Sequence, residues 1–471
     1  MKPNVLISAL RESATRHAGR PAVLEDANCT TYAQLWKEVD DLAAFFAGQG
    51  MGNGRITAFC LDNSVELVAL LLAVLQVNGS PLVLNAENIK EIDLAEYNFH
   101  SIIFPASEQV PDRYKDFDRI SFSGFFLIIN PSFRPRAISK KLPGILVTSS
   151  GSTGRSKLIV LSMKGVLNNI TANAESLGIT GSDITLQVLP MSYSYGLIGQ
   201  LLTHFYKGAA VVFSRSKLSL LLLSSHISRY RITTLFTVPP MLRQFLALKH
   251  PGKEAGDYSS MRLVTIGGNH VEEYTVKKAM ELFGCQVVKT YGLAEAGPRV
   301  CTNHINAQAA INTAGKPIRD VKVRIVNRSR REVKPGCTGR ILVESPSVSA
   351  GYLNRYTPKI AAGRQVLTND YGYMDADGNL VVLGRARQFV YVKKRKIWFS
   401  QMEAAIYNGG KVCKVLSSRN GAGCRLQVLP LSNHEITGAE INEVLSSAFG
   451  NQIGRLVDVE LMSVSQIKTL K

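Results

Sequence analysis

Apolar segments of strand length alternate with longer helical segments along most of the chain, and this alternation constrains the fold more than any other feature. Ile56–Cys60 predicts a strand, Val65–Gln76 a buried helix, and Pro81–Leu84 the next strand. A further helix is predicted after Thr30, whose hydroxyl would cap it. Other strand-like segments are Thr185–Leu189, Ala210–Phe213, Thr234–Thr237, Leu263–Ile266 and Val287–Lys289. This pattern predicts an α/β fold, with a parallel sheet that carries helices on its faces.

The pattern of the sequence changes after Gly315. Short alternating strands follow, separated by turns at Lys334–Gly336 and Asp375–Gly378, and they predict a β-rich subdomain at about residues 316–383. We expect a boundary near Gly384, between a large N-terminal domain (residues 1–383) and a small α+β domain (residues 384–471). A chain of 471 residues, 45% of them hydrophobic, can bury the several cores that this division requires.

Cysteine usage and the N-terminus suggest where the protein resides. The seven cysteines are odd in number and show neither a CxxC pattern nor Cys/His ligand spacing, so we expect reduced thiols. The first residues lack the pattern of a signal peptide. The longest apolar stretch, Val65–Val77, contains Glu66 and is too short to span a membrane. These features predict a cytoplasmic protein with no membrane span.

The formal net charge of +19 leaves several interpretations open. Nucleic-acid binding would call for a basic patch interleaved with exposed aromatic residues, or a known reader motif, and the sequence shows neither. No nucleic-acid partner is therefore predicted. Attraction to a membrane surface would favour an amphipathic basic helix. Two main interpretations of the charge remain: a generic solvated surface, or an acidic macromolecular partner attracted by long-range electrostatics.

A loop rich in glycine and hydroxyl side chains, Ser149–Lys157, follows the apolar run Ile145–Val147. It reads Ser-Ser-Gly-Ser-Thr-Gly-Arg-Ser-Lys. Glycines let backbone N–H groups face a phosphate, hydroxyls donate to its oxygens, and Lys157 adds a positive charge. The loop is not a Walker loop, because Lys157 follows Ser156 rather than a glycine. The pattern predicts a phosphate-binding loop, with a flexible Gly/Ser turn as the alternative.

This loop resembles the phosphate loop of the adenylate-forming superfamily, which includes acyl-CoA synthetases, peptide-synthetase adenylation domains and luciferases. Other family motifs follow in order: Lys289–Glu295 resembles Tyr-Gly-x-Thr-Glu, and Thr368–Asp370 resembles Thr-Gly-Asp. The last ten residues, Met462–Lys471, resemble the C-terminal lysine motif. The resemblance implies layered α/β subdomains in the large domain and a mobile small domain. It also implies ATP- and Mg²⁺-dependent activation of a carboxylic acid to acyl-AMP, followed by transfer to a phosphopantetheine thiol.

The resemblance assigns roles to individual residues of the nucleotide site. Tyr291 would stack on adenine, and Glu295 would ligate Mg²⁺. Asp370 would accept hydrogen bonds from both ribose hydroxyls, and Arg385 would contact ribose and phosphate. Lys468 would bridge the carboxylate and the α-phosphate, so the implied catalytic set is Lys468, Glu295 and Arg385. The other implied nucleotide contacts are Ser149, Ser150, Gly151, Ser152, Thr153, Gly154, Lys157, Gly268, Asn269 and Gly292.

The segment Leu189–Leu197 resembles the lining of the family's acyl pocket. Tyr193 stands where relatives carry a gating histidine or aromatic residue. Ser194 stands where amino-acid-activating domains carry an aspartate that pairs with the substrate ammonium. Because an unpaired buried ammonium is costly, the missing aspartate favours a fatty, hydroxy or aryl acid. The other implied pocket residues are Gly196, Val238, Gly267 and Leu293.

Three departures from the family pattern keep alternatives open. Ala294 replaces a threonine, Lys394 falls where a glycine lets the pantetheine arm approach, and Ile467 precedes Lys468 in place of a glycine. One alternative is therefore a degenerate member that binds adenylates without catalysis. Another is a stand-alone enzyme that activates a small amino acid. The thiol acceptor is expected to be CoA or an acidic acyl carrier protein, and the basic charge of the chain favours the carrier.

Overall fold

The computed structural model describes most of the chain. The described residues are 4–85, 89, 94–135, 139, 142–149, 157–214, 220–248, 256–304, 311–353, 360–361, 364–386, 388–392, 395–408, 413–420, 423–430, 437–450 and 457–461. Several residues singled out in the sequence lie outside them: Ser150, Gly151, Ser152, Thr153, Gly154, Lys394, Ile467 and Lys468.

The described helices and strands are as follows, in chain order. The α-helices are α1 (Val5–Arg16), α2 (Tyr32–Gly48), α3 (Val65–Gln76), α4 (Met163–Ser176), α5 (Thr203–Lys207), α6 (Leu220–Tyr230), α7 (Pro239–Leu248), α8 (Glu273–Phe283), α9 (Phe399–Asn408) and α10 (Gly438–Phe449). A π-helix spans Tyr195–Leu202, and 3₁₀ turns span Leu94–Tyr97, Asp112–Tyr114 and Ala294–Ala296. The strands are β1 (Pro21–Glu25), β2 (Asn28–Thr31), β3 (Ile56–Phe59), β4 (Ser80–Val83), β5 (Ser101–Pro105), β6 (Asp118–Phe122), β7 (Phe125–Ile129), β8 (Ile145–Ser149), β9 (Lys157–Leu161), β10 (Ile184–Leu186), β11 (Ala210–Phe213), β12 (Thr234–Thr237), β13 (Leu263–Ile266), β14 (Gln286–Tyr291), β15 (Cys301–His304), β16 (Lys316–Pro317), β17 (Lys322–Val326), β18 (Gly339–Glu344), β19 (Gly351–Tyr352), β20 (Ile360–Ala361), β21 (Gln365–Met374), β22 (Leu380–Arg385), β23 (Phe389–Val392), β24 (Arg395–Trp398), β25 (Cys413–Asn420), β26 (Gly423–Pro430) and β27 (Val457–Leu461).

The first large sheet contains the strands that the alternating pattern predicted. In the described residues its order is β16-β15-β14-β13-β12-β10-β11-β1-β2. The strands from β14 to β1 in this order are parallel, which confirms the predicted parallel sheet. Antiparallel strands β2, β15 and β16 complete the two edges. Parallel strands need helical crossovers, so this sheet is covered by helices, and its strands are apolar on both faces.

The second large sheet has the described order β19-β9-β8-β4-β3-β5-β7-β6. Strands β8, β4, β3 and β5 are parallel, whereas β9 runs antiparallel to β8. Ser149 therefore pairs directly with Lys157, and the predicted phosphate loop joins two antiparallel strands. Helix α3 is buried from Leu67 to Leu75 because helices α1 and α2 and strands of both large sheets contribute to the same core.

The start of helix α2 differs by one residue from the sequence prediction. Thr31, rather than Thr30, is the N-cap: its hydroxyl accepts from the Gln34 backbone N–H at 3.2 Å. The Gln34 side-chain oxygen in turn accepts from the Thr31 N–H at 2.8 Å. A capping box requires Glu or Gln three residues after the cap, and Gln34 meets that condition only for Thr31.

The region after Gly315 contains the predicted short strands. Strands β17, β18, β21 and β20 form a third sheet, and β22 pairs with β21 across the Asp375–Gly378 turn. Strand β19 joins the second sheet instead, through β9. Beyond β22, a β23–β24 hairpin, a β25-β26-β27 sheet and helices α9 and α10 surround a core of their own that includes Met402, Ile406 and Ile441. A domain boundary near Gly384 stays a prediction.

Two observations concern the membrane and the thiols. Of the helices in the described residues, none is both long and apolar enough to cross a membrane. The cysteines whose side chains are described are free thiols: Cys29, Cys60, Cys285, Cys301 and Cys337.

An ion pair between the buried Asp183 and the partly exposed Arg262 ties the amino ends of three parallel strands of the first sheet. Asp183, next to β10, accepts from Arg262 Nε and Nη2 at 2.7 and 2.6 Å, and from the Thr233 hydroxyl at 2.7 Å. Arg262 precedes β13, and Thr233 precedes β12. Burial alone would raise the pKa of Asp183, but these hydrogen bonds and one from the Thr180 backbone N–H outweigh it and hold that pKa below its usual range.

Asp183→Asn should therefore lower the free energy of unfolding by about 3 kcal/mol near neutral pH, since it leaves Arg262 without its carboxylate. A lowered folded-state pKa means that this stabilisation is present above the unfolded pKa of about 3.9 and is lost as the pH falls below it. Urea unfolding at several pH values should show the difference between the two proteins shrinking in acid. Lys278→Ala, which breaks the exposed Lys278–Glu281 pair, should leave stability unchanged. A pH-independent difference would contradict this account.

Candidate active site

Several of the predicted site residues lie at the carboxyl ends of the parallel strands of the first sheet. Val238 follows β12, Gly267 follows β13, and Tyr291 ends β14. The segment that carries Tyr193 follows β10 and leads into the π-helix. Open α/β sheets bind ligands at the carboxyl ends of their strands, because the strands end there in loops that can diverge around a ligand. The amino ends of the same strands carry the ion pair between Asp183 and Arg262.

Tyr291, Asp370 and Arg385 come together although they lie far apart in the chain. Strands β21 and β22 form a hairpin in which Asp370 is the direct cross-strand partner of Arg385. Asp370 and Arg385, 15 positions apart in the chain, therefore lie on the two arms of one hairpin. The Tyr291 hydroxyl donates to Asp370 Oδ2 at 2.7 Å, while Arg385 Nε lies 3.7 Å from Asp370 Oδ1. The Thr368 hydroxyl accepts from the Asp370 N–H at 3.1 Å and fixes the strand there.

The electrostatics of this trio keep the tyrosine protonated. Burial raises the pKa of Tyr291, and the adjacent Asp370 charge raises it further. Burial also raises the pKa of Asp370, while the Tyr291 hydrogen bond and the Arg385 charge oppose this effect. Tyr291 is thus a donor at all physiological pH values. Each carboxylate oxygen has two lone pairs, so Asp370 retains acceptor capacity for a vicinal diol.

Glu295 is held by a tyrosine that the sequence analysis missed. The Tyr352 hydroxyl donates to Glu295 Oε1 at 2.6 Å, and the backbone N–H of Ser349 donates to the Glu295 carbonyl at 2.8 Å. Lys157 Nζ lies 5.5 Å from the centroid of the Tyr352 ring. This proximity arises because Tyr352 pairs with β9, the strand that Lys157 begins. Burial and the Glu295 charge both raise the pKa of Tyr352, so it too remains a donor.

The donor set suits magnesium bound together with phosphates. In the part of the chain that the structure describes, no group of three or more His, Cys, Asp and Glu side chains could hold a metal ion. Mg²⁺ keeps several waters and is usually bound by one or two carboxylates plus substrate phosphates rather than by a protein cage. Glu295, a hard oxygen ligand held by the same tyrosine that Lys157 of the predicted phosphate loop approaches, fits that arrangement.

Tyr193, Gly268 and Val238 lie side by side. A Cβ atom at Gly268 would be 3.0 Å from the Tyr193 hydroxyl oxygen and 3.3 Å from Val238 Cγ1. Tyr193 is 38% exposed and packs edge-on against Tyr195, with 6.3 Å between ring centroids. Desolvation raises the pKa of Tyr193, with a smaller effect from Tyr195, whereas the Arg385 charge lowers it. Asn269 is exposed beside Gly268, and Ser194 is buried at the start of the π-helix.

Several predicted site glycines are required by the protein's own packing. A Cβ at Gly292 would lie 1.7 Å from the Pro298 carbonyl oxygen, and one at Gly196 would lie 2.4 Å from that of Pro190. At Gly267 the obstacles are the Thr290 hydroxyl at 2.5 Å and the Tyr195 ring at 2.9 Å. Leu293 packs with the core of the third sheet, whose members include Val323 and Ile341. These positions shape the site whether or not they contact a ligand.

Comparison with known proteins fits this geometry. The family model described as AMP-binding enzyme matches residues 10–94 and 106–353. The chain belongs to the AMP-binding enzyme family. This membership confirms the predicted superfamily, the α/β fold class and the predicted enzyme class, an AMP-forming acid–thiol ligase.

Relatives of this AMP-binding enzyme include two CoA ligases. It is 26% identical over 394 residues to 2-succinylbenzoate–CoA ligase of Lactococcus lactis, covering 81% of this chain and 80% of the relative. It is 25% identical over 476 residues to indoleacetate–CoA ligase of Aromatoleum aromaticum, covering 93% and 91%. Among solved structures, o-succinylbenzoate CoA synthetase of Bacillus subtilis with its acyl-adenylate intermediate superposes with a TM-score of 0.77 at 20% identity, covering 98% of this chain and 94% of that one.

Tyr352→Phe should lower kcat/KM for ATP–pyrophosphate exchange about 10-fold, with the protein still folded. The reason is that Glu295 loses the hydrogen bond that fixes its carboxylate, while the packing of the ring is retained. The loss should be larger at low Mg²⁺ than at saturating Mg²⁺, and steady-state exchange over a Mg²⁺ series measures it. Tyr230→Phe is a matched control, because its hydroxyl also donates at 2.6 Å, to the Asp26 carbonyl. Equal losses in the two variants would remove Tyr352 from the site.

Proposed function

We propose that this enzyme activates an aryl acid with ATP and transfers the acyl group to the thiol of CoA. The observation that carries the proposal is the position of Arg385. Its Nε lies 3.7 Å from Asp370 Oδ1, and its positive charge lowers the pKa of Tyr193 in the predicted acyl pocket. One cation would thus serve both the carboxylate predicted to bind the ribose and the segment predicted to bind the acid. An acyl-adenylate has its ribose and its acyl group on either side of one phosphate, and this arrangement suits it.

Each of these residues would have its own role in the first half-reaction, the formation of acyl-AMP. Asp370 would accept the ribose hydroxyls, Lys157 would neutralise phosphate charge, and Glu295 would hold the Mg²⁺ that accompanies ATP. A carboxylate oxygen of the acid attacks the α-phosphorus, the bond from that phosphorus to the bridging oxygen breaks, and pyrophosphate leaves. Lys468 would bridge the attacking oxygen and the α-phosphate. Positioning and charge neutralisation account for catalysis of this kind, because no covalent intermediate with the protein is required. The same two ligands are present in the solved complex of the Bacillus subtilis synthetase with ATP and magnesium ion, which supports ATP and Mg²⁺ for this enzyme.

The class of acid substrate and the thiol acceptor are inferred from different observations. The ligases named for 2-succinylbenzoate and indoleacetate act on aryl acids, which favours the aryl member of the fatty, hydroxy and aryl classes expected from Ser194. Both are CoA ligases, which favours CoA as acceptor. The net charge of +19 supports an acidic acyl carrier protein as the finer alternative. ATP and CoA are both abundant in the cytoplasm, and we place the reaction there.

The second half-reaction would require the small domain to move. We propose that residues 384–471 form this domain and rotate about Ala386–Arg387. The separate core around Met402 and Ile441 supports a unit that can move as one body. In the thioester step the thiol sulfur attacks the acyl carbonyl carbon, the acyl–phosphate bond breaks, and AMP leaves.

ATP–pyrophosphate exchange with a panel of aryl, fatty, hydroxy and amino acids tests the function directly. We expect Mg²⁺-dependent exchange with aryl acids and none with small amino acids, because an α-ammonium would be left without a carboxylate partner near Ser194. Exchange with a small amino acid would favour the alternative activator. ATP binding without exchange for any acid would identify a degenerate member and overturn the proposal.

Lys468→Ala should reduce acid-dependent pyrophosphate release 100-fold or more, on the order of the loss expected for a residue that stabilises transition-state charge. Because Lys468 would act only in adenylation, thioester formation from synthetic acyl-AMP should persist. Lys394→Ala should show the reverse pattern, with adenylation retained and thioester transfer reduced. Single-turnover assays of each half-reaction measure both variants. Unchanged acyl-AMP formation by Lys468→Ala would remove that lysine from the mechanism.

A further inference from the structure

Arg299 is a buried cation that has no anionic partner among the residues that the structure describes. The residue is 3% exposed, and its Nη2 is buried with no hydrogen-bond partner. Among the described residues, no carboxylate forms a salt bridge with it. A buried charge is costly unless it is paired, and arginine cannot escape the cost by losing its proton. The position therefore calls for an explanation outside the fold itself.

Neutral side chains of helix α4 hold Arg299 in place. Its Nε donates to Asn173 Oδ1 at 2.8 Å. Its backbone N–H donates to Asn169 Oδ1 at 3.1 Å, and Asn169 Nδ2 donates to its carbonyl at 3.0 Å. Asn173 is itself fixed, because its Nδ2 donates to the Gly199 carbonyl at 2.8 Å and the Thr203 hydroxyl at 3.0 Å. Neutral groups thus orient the guanidinium in advance, and no carboxylate of the described residues pairs with its charge.

The guanidinium lies against the wall of the predicted acyl pocket. Arg299 Cζ is 5.1 Å from the ring centroid of Tyr195, the residue after Ser194. The Tyr195 hydroxyl is 2.6 Å from the Thr265 hydroxyl, which keeps the ring in place. Gly199 and Gly267 both approach this ring, since a Cβ on either would come within 2.9 Å of it. The Tyr195 ring thus lies between two residues without side chains, and the Arg299 cation lies next to it.

We propose that Arg299 binds a second carboxylate of the acid substrate, so that the enzyme prefers dicarboxylic acids. This inference rests on the proposed function, in which the first carboxylate is adenylated. A guanidinium presents a planar fork of donors that matches a carboxylate in two parallel hydrogen bonds. A substrate with only one carboxylate would leave the buried charge unpaired. A site built for a charged partner rejects analogues that lack it far more strongly than an apolar pocket rejects a change of size.

The competing role is a structural brace between α4 and the loop before β15. A brace would affect folding and the turnover of every acid alike. A carboxylate-binding residue would instead change the ratio of kcat/KM between a dicarboxylic acid and its matched monocarboxylic partner. The ratio of the two kcat/KM values is therefore the informative quantity. A general loss of activity lowers both values by the same factor and leaves their ratio unchanged.

The experiment is ATP–pyrophosphate exchange with matched pairs of acids, such as homophthalate with phenylacetate and glutarate with butyrate. We expect the wild-type enzyme to favour the dicarboxylic member of at least one pair about 100-fold or more. Arg299→Met, which keeps the length of the side chain, should lower that ratio by a similar factor, mainly through KM for the dicarboxylic acid. Arg299→Lys should restore part of the preference, because it restores the charge without the fork.

Arg262→Met is the matched control, since it removes another partly buried arginine that pairs with Asp183 at the opposite edge of the sheet. It should lower stability and leave the ratio unchanged. Wild-type exchange with monocarboxylic acids alone, or an unchanged ratio in Arg299→Met, would overturn the inference and leave the proposed function standing. Absence of exchange with every acid would overturn the proposed function, and the inference with it. If Arg299→Met fails to fold, the wild-type preference and Arg299→Lys decide the matter.

Discussion

The hydrogen bond between Tyr291 and Asp370 joins two sheets that fold from separate parts of the chain. Tyr291 ends a parallel strand of the first sheet, and Asp370 lies in the third sheet, 79 residues further on. A hydrogen bond to a charged group contributes about 1.5–3 kcal/mol, and an unpaired partner in this buried setting would cost a similar amount. The bond fixes the position of the β21–β22 hairpin. Because Arg385 is the cross-strand partner of Asp370 in that hairpin, the same bond also fixes the position of this arginine.

A second connection serves the phosphate end of the site. Strand β19 is only two residues long, yet it takes Tyr352 out of the third-sheet region and pairs it with β9 of the second sheet. Tyr352 then contacts both Glu295, in the 3₁₀ turn that follows β14 of the first sheet, and Lys157, which begins β9 of the second sheet. The site thus lies where the three sheets meet, and each sheet contributes side chains that the others orient. A change in the packing between sheets would alter the site without touching any residue that binds a ligand.

The strength of the local signal separates what could be predicted from what could not. Strands β11, β12 and β13 and helix α3 have the predicted bounds because buried apolar segments of characteristic length carry a strong local signal. The cross-strand pairing of Asp370 and Arg385 has a short-range cause as well, a turn signal at the middle of the 15-residue interval. Tyr352, Arg299 and Asn173 were missed because none has a local pattern. Their roles depend on partners more than 50 residues away, and single-sequence reasoning has no access to such contacts.

The sequence by itself determined the α/β class, the presence of a parallel sheet and the superfamily, and it predicted the carboxylates Glu295 and Asp370 as site residues, since periodicity and short motifs are properties of neighbouring residues. Only the tertiary structure decided which groups hold those carboxylates, why Gly292 admits no side chain, and which cation lies unpaired beside Tyr195. Burial, hydrogen-bond partners and desolvation are properties of the folded packing, because they depend on residues that the chain brings together from distant positions. For that reason the class of enzyme could be inferred from the motifs, whereas a dicarboxylic substrate could be proposed only once the fold showed Arg299 buried beside Tyr195.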